Sequence, residues 1–167
     1  MTDVGETSPQ AALDERHMRL ALEDAFMAAQ SEEVPVGCLI TRGEHVISRA
    51  ANRTIADCDP TAHAEIVALR AAAAAMGNHR LSGITLYVTV EPCPMCAGAM
   101  LQARVDRLVY GADDPKGGAV RSCFAVFDHP RVNHRIAVTS GVLAEEAAAL
   151  LRHFFGARRQ RQAIQHY

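Results

Sequence analysis

The sequence predicts an α/β fold, a three-layer α/β/α sandwich around a mixed sheet of about five strands. Two observations carry this. Segments with apolar residues at helical spacing take turns along the chain with short alternating or β-branched runs, the order expected when helices cover both faces of a sheet. The length of 167 residues, 49% of them hydrophobic, suits one continuous core, with no shift in composition to mark a second.

The elements follow in order. Met18, Leu22, Ala25, Phe26 and Ala29 repeat at helical spacing between Ala12 and about Gln30, which makes an amphipathic helix. Val36 to Ile40 and Val46 to Ala50 flank Arg42-Gly43-Glu44 and read as a hairpin. Asp59 is placed to cap a helix with Pro60 at its first position, and the alanine-rich segment that follows ends at Met76, before Gly77. Leu86, Val88 and Val90 alternate with Thr85, Tyr87 and Thr89 in a strand that leads directly into Glu91-Pro92-Cys93. A helix runs from near Pro94 to about Ala103. Arg107 to Gly111 and Arg135 to Thr139 are two further strands. The long connection between them contains Asp113-Asp114-Pro115-Lys116-Gly117-Gly118, and connections of that length are often functional. Leu143, Ala147, Leu150, Leu151 and Phe154 make the apolar stripe of a closing helix that continues as a basic tail.

Residues 1–10 are polar, with Gly5 and Pro9, and are expected to form a disordered tail ahead of a single domain over residues 11–167. Nothing in that tail resembles a signal peptide, and no stretch approaches the roughly 20 apolar residues of a membrane span. Five cysteines without a framework spacing fit a reducing, cytoplasmic setting. The overall charge of −2 conceals an asymmetry. Residues 1–103 hold 7 Lys+Arg against 13 Asp+Glu, net −6, and residues 104–167 hold 10 against 6, net +4. Arg158, Arg159 and Arg161 cluster in a closing stretch, Arg152 to Tyr167, that lacks any acid, the pattern of a face for a polyanion.

Two short clusters carry the chemistry: His63-Ala64-Glu65 and Pro92-Cys93-Pro94-Met95-Cys96. Cys93 and Cys96, three apart at a helix start, lie on neighbouring positions of one face, and the helix N-terminus favours their thiolates. Together with His63 they make three ligands for an ion, which leaves a fourth position for water, whereas a structural zinc is usually closed by four. His63 and Glu65, two apart, stand roughly 200° around a regular helix axis, so they converge only at its first turn, where side chains lean forward. Two thiolates formally cancel a zinc dication, so Glu65 is expected to take the proton of the activated water and return it. That pattern, His-x-Glu followed by Pro-Cys-x-x-Cys, is the zinc nucleobase deaminase signature. Water activated at the open position would attack the amino-bearing carbon of a flat ring, with Glu65 protonating first the ring nitrogen and then the leaving ammonia.

The chain closely resembles the bacterial tRNA-specific adenosine deaminases of the cytidine deaminase-like fold, from about Val34 to Arg159. The resemblance rests on Val34-Pro35-Val36-Gly37, Asn52-Arg53, Asp59-Pro60-Thr61-Ala62-His63-Ala64-Glu65-Ile66, Thr85 to Thr89, Glu91-Pro92-Cys93-Pro94-Met95-Cys96-Ala97-Gly98-Ala99-Met100, Tyr110 to Asp114, Asn133-His134 and Phe154-Phe155. It implies that His63, Cys93 and Cys96 hold one Zn2+ per subunit and that Glu65 shuttles protons. It also implies substrate contacts by Val36, Asn52, Ala64, Asp114, Lys116, Asn133 and Phe154. The implied reaction is hydrolytic deamination of adenosine to inosine, at C6 of the wobble base of an arginine tRNA anticodon loop, by a cytoplasmic homodimer that binds neither membrane nor DNA. Anticodon loops already splay their bases, which lowers the cost of flipping one into a pocket. The chain departs from the family pattern at Gly117, where the family usually has a threonine.

Two rival readings remain open at this point. A deaminase of a free base or nucleoside, of guanine or cytidine type, shares the zinc signature and does not need the basic tail. A catalytically silent, zinc-stabilised RNA-binding module would not need Glu65.

Overall fold

The computed structural model of the protein describes residues 8–164. Its elements follow in the order α1 (Pro9–Gln30), β1 (Gly37–Arg42), β2 (His45–Ala51), α2 (Ala64–Met76), β3 (Ile84–Val90), α3 (Pro94–Ala103), β4 (Arg107–Ala112), β5 (Ala137–Thr139) and α4 (Ala144–Ile164). A single 3₁₀ turn, Val126–Asp128, interrupts the long connection before β5. The sheet order is β2-β1-β3-β4-β5. β1 runs antiparallel to β2 and β3, while β3–β4 and β4–β5 are parallel. The β1–β2 hairpin needs only a tight turn, whereas α3 is the crossover that lets β4 run parallel to β3. The predicted mixed five-stranded α/β sandwich is therefore the observed architecture among the described residues.

Alternation along the strands sorts the core into two sides. Cys38 and Ile40 of β1, Leu86 and Val88 of β3, and Leu108 and Tyr110 of β4 face Ala68, Leu69 and Ala72 of α2 and Met100 of α3. Leu39, Tyr87 and Val109 face the other way, onto Met18 and Ala21 of α1. The period of two in each strand thus divides one sheet between two helical layers. α1 lies so close to β1 that a Cβ on Gly37 would meet the Ala21 carbonyl oxygen at 1.8 Å.

A buried polar clamp joins α1 to the sheet. Arg107 donates to both carboxylate oxygens of Asp14 at 2.7 and 2.6 Å, and the Tyr87 hydroxyl donates to Asp14 Oδ1 at 3.0 Å. Burial alone would raise the Asp14 carboxyl, but these donors outweigh it and hold it below its ordinary value.

Several element boundaries differ from the sequence reading, and β1, β2 and β4 shift or extend by one or two residues. α1 starts at Pro9, because the Ser8 hydroxyl accepts the Ala11 N–H at 3.2 Å and proline suits the first helical position. Residues 1–7, on which most of the expected tail falls, lie outside the described residues. Asp59 does not cap α2: its Oδ1 accepts the Thr61 N–H and hydroxyl at 2.8 and 2.7 Å, closing a local turn that spends the carboxylate four residues early. The N-cap is His63, with extended backbone angles. β5 begins at Ala137, two residues later than the sequence suggests.

Candidate active site

The local order of the chain brings the two clusters together. β3 ends at Val90 and hands the chain to Glu91-Pro92-Cys93, so that Cys93 becomes the N-cap of α3 with Pro94 at the first helical position. Cys96 is the third residue of that helix and is fully buried. On the neighbouring helix, His63 is the N-cap of α2 and Glu65 its second residue. His63 stands outside the regular helix, so the separation around the axis that an offset of two residues would impose does not apply.

His63 Nδ1 lies 3.6 Å from the Sγ of Cys93 and 3.6 Å from that of Cys96. All three donor atoms fall within 4.8 Å of one another, and together they could hold a metal ion. A tetrahedral zinc with Zn–S of about 2.3 Å and Zn–N of about 2.0–2.1 Å sets nitrogen and sulfur about 3.5–3.6 Å apart along one edge. The donor types and the spacing both fit that ion.

The charges of this group are coupled. A proton shared from the Cys96 thiol, with His63 alongside, holds the Cys93 thiol down at about 4 despite its burial. Holding that proton next to Cys93, in a buried setting, pushes Cys96 far up. The Cys93 sulfur draws the His63 imidazole up against the opposing effect of burial. Glu65 is 4% exposed, and burial pushes its carboxyl up to about 6, with His63, Cys93 and Cys96 as the groups that act on its charge. A carboxyl near 6 can both take and release a proton around neutrality.

His63, Glu65 and Cys93 open onto a cavity of about 960 Å³, with Cys96 buried behind them. Of the residues singled out in the sequence, Val36, Asn52, His63, Glu65, Cys93, Asp114 and Lys116 line it. Asn52 Oδ1 accepts the Ala64 N–H at 2.9 Å, which ties the end of β2 to the start of α2 and leaves the Asn52 amide hydrogens for a ligand. Ala64 itself is fully buried and acts through that N–H.

Neither Asn133 nor Phe154 is brought to the cavity in this chain. Asn133 is exposed and accepts from Arg104 Nη1 at 2.8 Å, beyond the far end of α3. Phe154 is 6% exposed and stacks edge-on against Phe155, with ring centroids 5.4 Å apart. Its neighbour Phe155 lines the cavity, with Leu151, Arg152 and Arg159 from the same helix. Those four positions share one face of α4 at spacings of one, four and eight, a phase that would have pointed to Phe155 had the basic residues been used to set it. Glu91 and Asp113 also line the cavity without having been singled out. For Glu91 the signal was an acid wedged between an apolar strand and Pro92-Cys93.

Comparison with known proteins agrees with this geometry. The family model for MafB19-like deaminases matches residues 13–159. A tRNA-specific adenosine deaminase of Haemophilus influenzae is 49% identical over 157 residues, covering 93% of this chain and 91% of the relative. That of Bacillus subtilis is 42% identical over 149 residues, covering 89% and 92%. A structure solved in a study of A-to-I editing by tRNA:A34 deaminases at the wobble position superposes with a TM-score of 0.79 at 48% identity, covering 81% of this chain and 99% of that one. A guanine deaminase from Nitrosomonas europaea gives a TM-score of 0.70 at 26% identity, covering 92% and 97%. With its donor triad, its buried acid and nine-tenths of its length aligned to such relatives, the chain belongs to the tRNA-specific adenosine deaminase family.

Proposed function

We propose that the protein hydrolyses the 6-amino group of adenosine at the wobble position of a tRNA anticodon loop, that of an arginine tRNA, giving inosine and ammonia. The observation that carries this reading is the His63, Cys93 and Cys96 triangle beside a cavity that the buried Glu65 carboxyl also lines. Those three side chains would hold a zinc ion, one per subunit, and bound there it supplies the Lewis acidity that makes water a nucleophile at neutral pH.

Glu65 takes one proton from the attacking water and gives it to the ring nitrogen that gains electron density, then takes the second from the new hydroxyl on C6 and gives it to the amino group, which leaves as ammonia while the carbonyl forms. Burial raises the Glu65 carboxyl to about 6, so it can exchange protons close to neutral pH. Asn52, fixed by Ala64, offers its amide hydrogens to the nucleoside. Val34 and Val36 give one apolar wall for a flat base, and Leu151 and Phe155 give another. Lys116, Arg152 and Arg159 at the same cavity suit the phosphates of a single strand. We further propose that the enzyme acts as a cytoplasmic homodimer in one domain, whose start the onset of α1 at Pro9 moves ahead of the expected residue 11. None of its described helices is long and apolar enough to cross a membrane.

The test is direct. The zinc-loaded protein is incubated separately with an anticodon stem-loop, guanine and cytidine, and released ammonia is measured. Turnover of the stem-loop alone is expected, with KM rising steeply with salt because Lys and Arg contacts release counterions. Turnover of guanine or cytidine with no action on RNA would replace this reading with a free-base or nucleoside deaminase. Binding of RNA without ammonia release from any of the three would replace it with a silent binding module.

A further inference from the structure

The connection from Asp113 to Ser122 lines the cavity through Asp113, Asp114, Pro115 and Lys116, yet it has neither helix nor strand to hold it. What holds it is the carboxylate of Glu91, which is 3% exposed at the end of β3. Oε1 accepts the backbone N–H groups of Val120, Arg121 and Ser122 at 3.1, 2.8 and 3.0 Å. Oε2 accepts the Asp114 N–H at 3.0 Å and the Ser122 hydroxyl. Five donors therefore converge on one anion, close to the full acceptor capacity of a carboxylate. The fit is close: a Cβ on Gly118 would come within 2.3 Å of the Glu91 carboxyl carbon. Other bonds brace the loop as well: the Ala119 N–H donates to the Pro92 carbonyl at 2.8 Å, and Arg121 Nη2 donates to Asp113 Oδ1 at 2.9 Å. Asp114 O accepts the Gly118 N–H at 2.9 Å, and Asp114 Oδ1 accepts the Lys116 N–H at 3.0 Å.

We propose that Glu91 is a positioning residue for the RNA strand: its carboxylate holds the 113–122 loop so that Asp114 and Lys116 meet the nucleotides flanking the target base. The carboxylate's hydrogen-bond partners all lie in the 113–122 loop, and its contribution is to substrate capture, not to bond breaking. Four of the donors it collects are main-chain amides of a segment with no ladder of its own, so removing the anion leaves the buried Val120 N–H and three partly buried ones without that partner and frees the loop. This inference rests on the reading of the site as a tRNA deaminase.

The test uses Glu91→Gln, which keeps the side chain's size but turns one acceptor oxygen into an NH2 facing N–H donors, and Ser122→Ala, which removes a single donor. Four readouts are compared with the wild type: kcat and KM on an anticodon stem-loop, zinc per chain, and hydrogen exchange of the Asp114, Val120, Arg121 and Ser122 amides. For Glu91→Gln, KM is expected to rise at least about tenfold with kcat within about threefold. Exchange at the four amides should quicken at least about tenfold while zinc stays at one per chain. Ser122→Ala should move KM the same way by a smaller factor, and it keeps the proposal testable if Glu91→Gln does not fold. A fall in kcat at constant KM, loss of zinc, or unchanged KM and exchange would overturn the proposal. If the wild type itself does not deaminate the stem-loop, the functional reading fails, and the exchange data still decide whether Glu91 holds the loop.

Discussion

His63 Nδ1 sits 3.6 Å from the Sγ of Cys93 although 30 positions separate the two residues in the chain. Each is the N-cap of its helix, so the starts of α2 and α3 meet at this contact. The exposed N–H groups and the positive end of each helix dipole favour negative charge there, which suits thiolate ligands.

Removing one corner of the triangle should empty it. His63→Ala and Cys96→Ala are each expected to lower zinc from about one per chain to a small fraction, because two ligands leave too few bonds to replace the ion's hydration. Elemental analysis of dialysed protein reads this directly. In the wild type, zinc must displace the protons that His63 and Cys96 hold tightly, so its apparent affinity should climb with pH.

Glu65→Ala should keep its zinc and lose turnover by at least about 10²-fold, the lower end of what a positioned acid–base group contributes. Ammonia release and metal content are measured on the same preparation. Normal turnover in zinc-loaded Glu65→Ala would remove Glu65 from the proposed proton path.

The two adjacent phenylalanines should separate cleanly. Phe155→Ala is expected to weaken stem-loop binding by about 1–3 kcal/mol, the range for an aromatic that stacks on a base, with little change in melting temperature. Phe154→Ala should instead cost about 3 kcal/mol of stability through the cavity it leaves, with RNA binding by the folded protein nearly unchanged. Fluorescence anisotropy with a labelled stem-loop and calorimetry distinguish the two outcomes.

Acid should dissolve the loop anchor. Burial opposes the ionised Glu91 carboxylate, but the Ser122 hydroxyl and the amides of Arg121, Ser122 and Asp114 outweigh it and hold the carboxyl at about 2 against an ordinary 4.5. A depressed carboxylate stabilises the fold fully above the higher value and loses that stabilisation as pH falls through the lower one. The stability advantage of wild type over Glu91→Gln should therefore shrink by about 3 kcal/mol between pH 5 and pH 2, measured by urea unfolding at each pH.

Asp14→Ala should cost about 3 kcal/mol, because it leaves the Arg107 guanidinium and the Tyr87 hydroxyl facing a partner that is gone. Urea unfolding with an unchanged m-value would show that the loss lies in the native clamp and not in a change of the unfolded state.

The elements and the donor triad are legible along the chain because they depend on near neighbours. A period of two in Thr85–Val90, a tight turn at Gly43 and a Cys-x-x-Cys after a proline are local patterns, and local sterics decide them. The Asp59 misassignment is also local: a carboxylate can close a turn or cap a helix, and the Thr61 hydroxyl tipped it to the turn by offering a second donor. The phase of α4 was harder to read. Its stripe contains both Leu151, which lines the cavity, and Phe154, which does not, so periodicity alone could not say which aromatic faced the site.

What the sequence alone determines here is the kind of chemistry: which side chains are available as ligands, which acid stands by them, and which strands and helices deliver them. What only the tertiary structure decides is the company each residue keeps. Glu91 gathers five donors from positions 23 to 31 residues further on, and Asp14 meets an arginine 93 residues away. Such partnerships leave no local trace, because they form only when sheet order and crossover bring distant segments within the 3 Å or so over which a hydrogen bond acts.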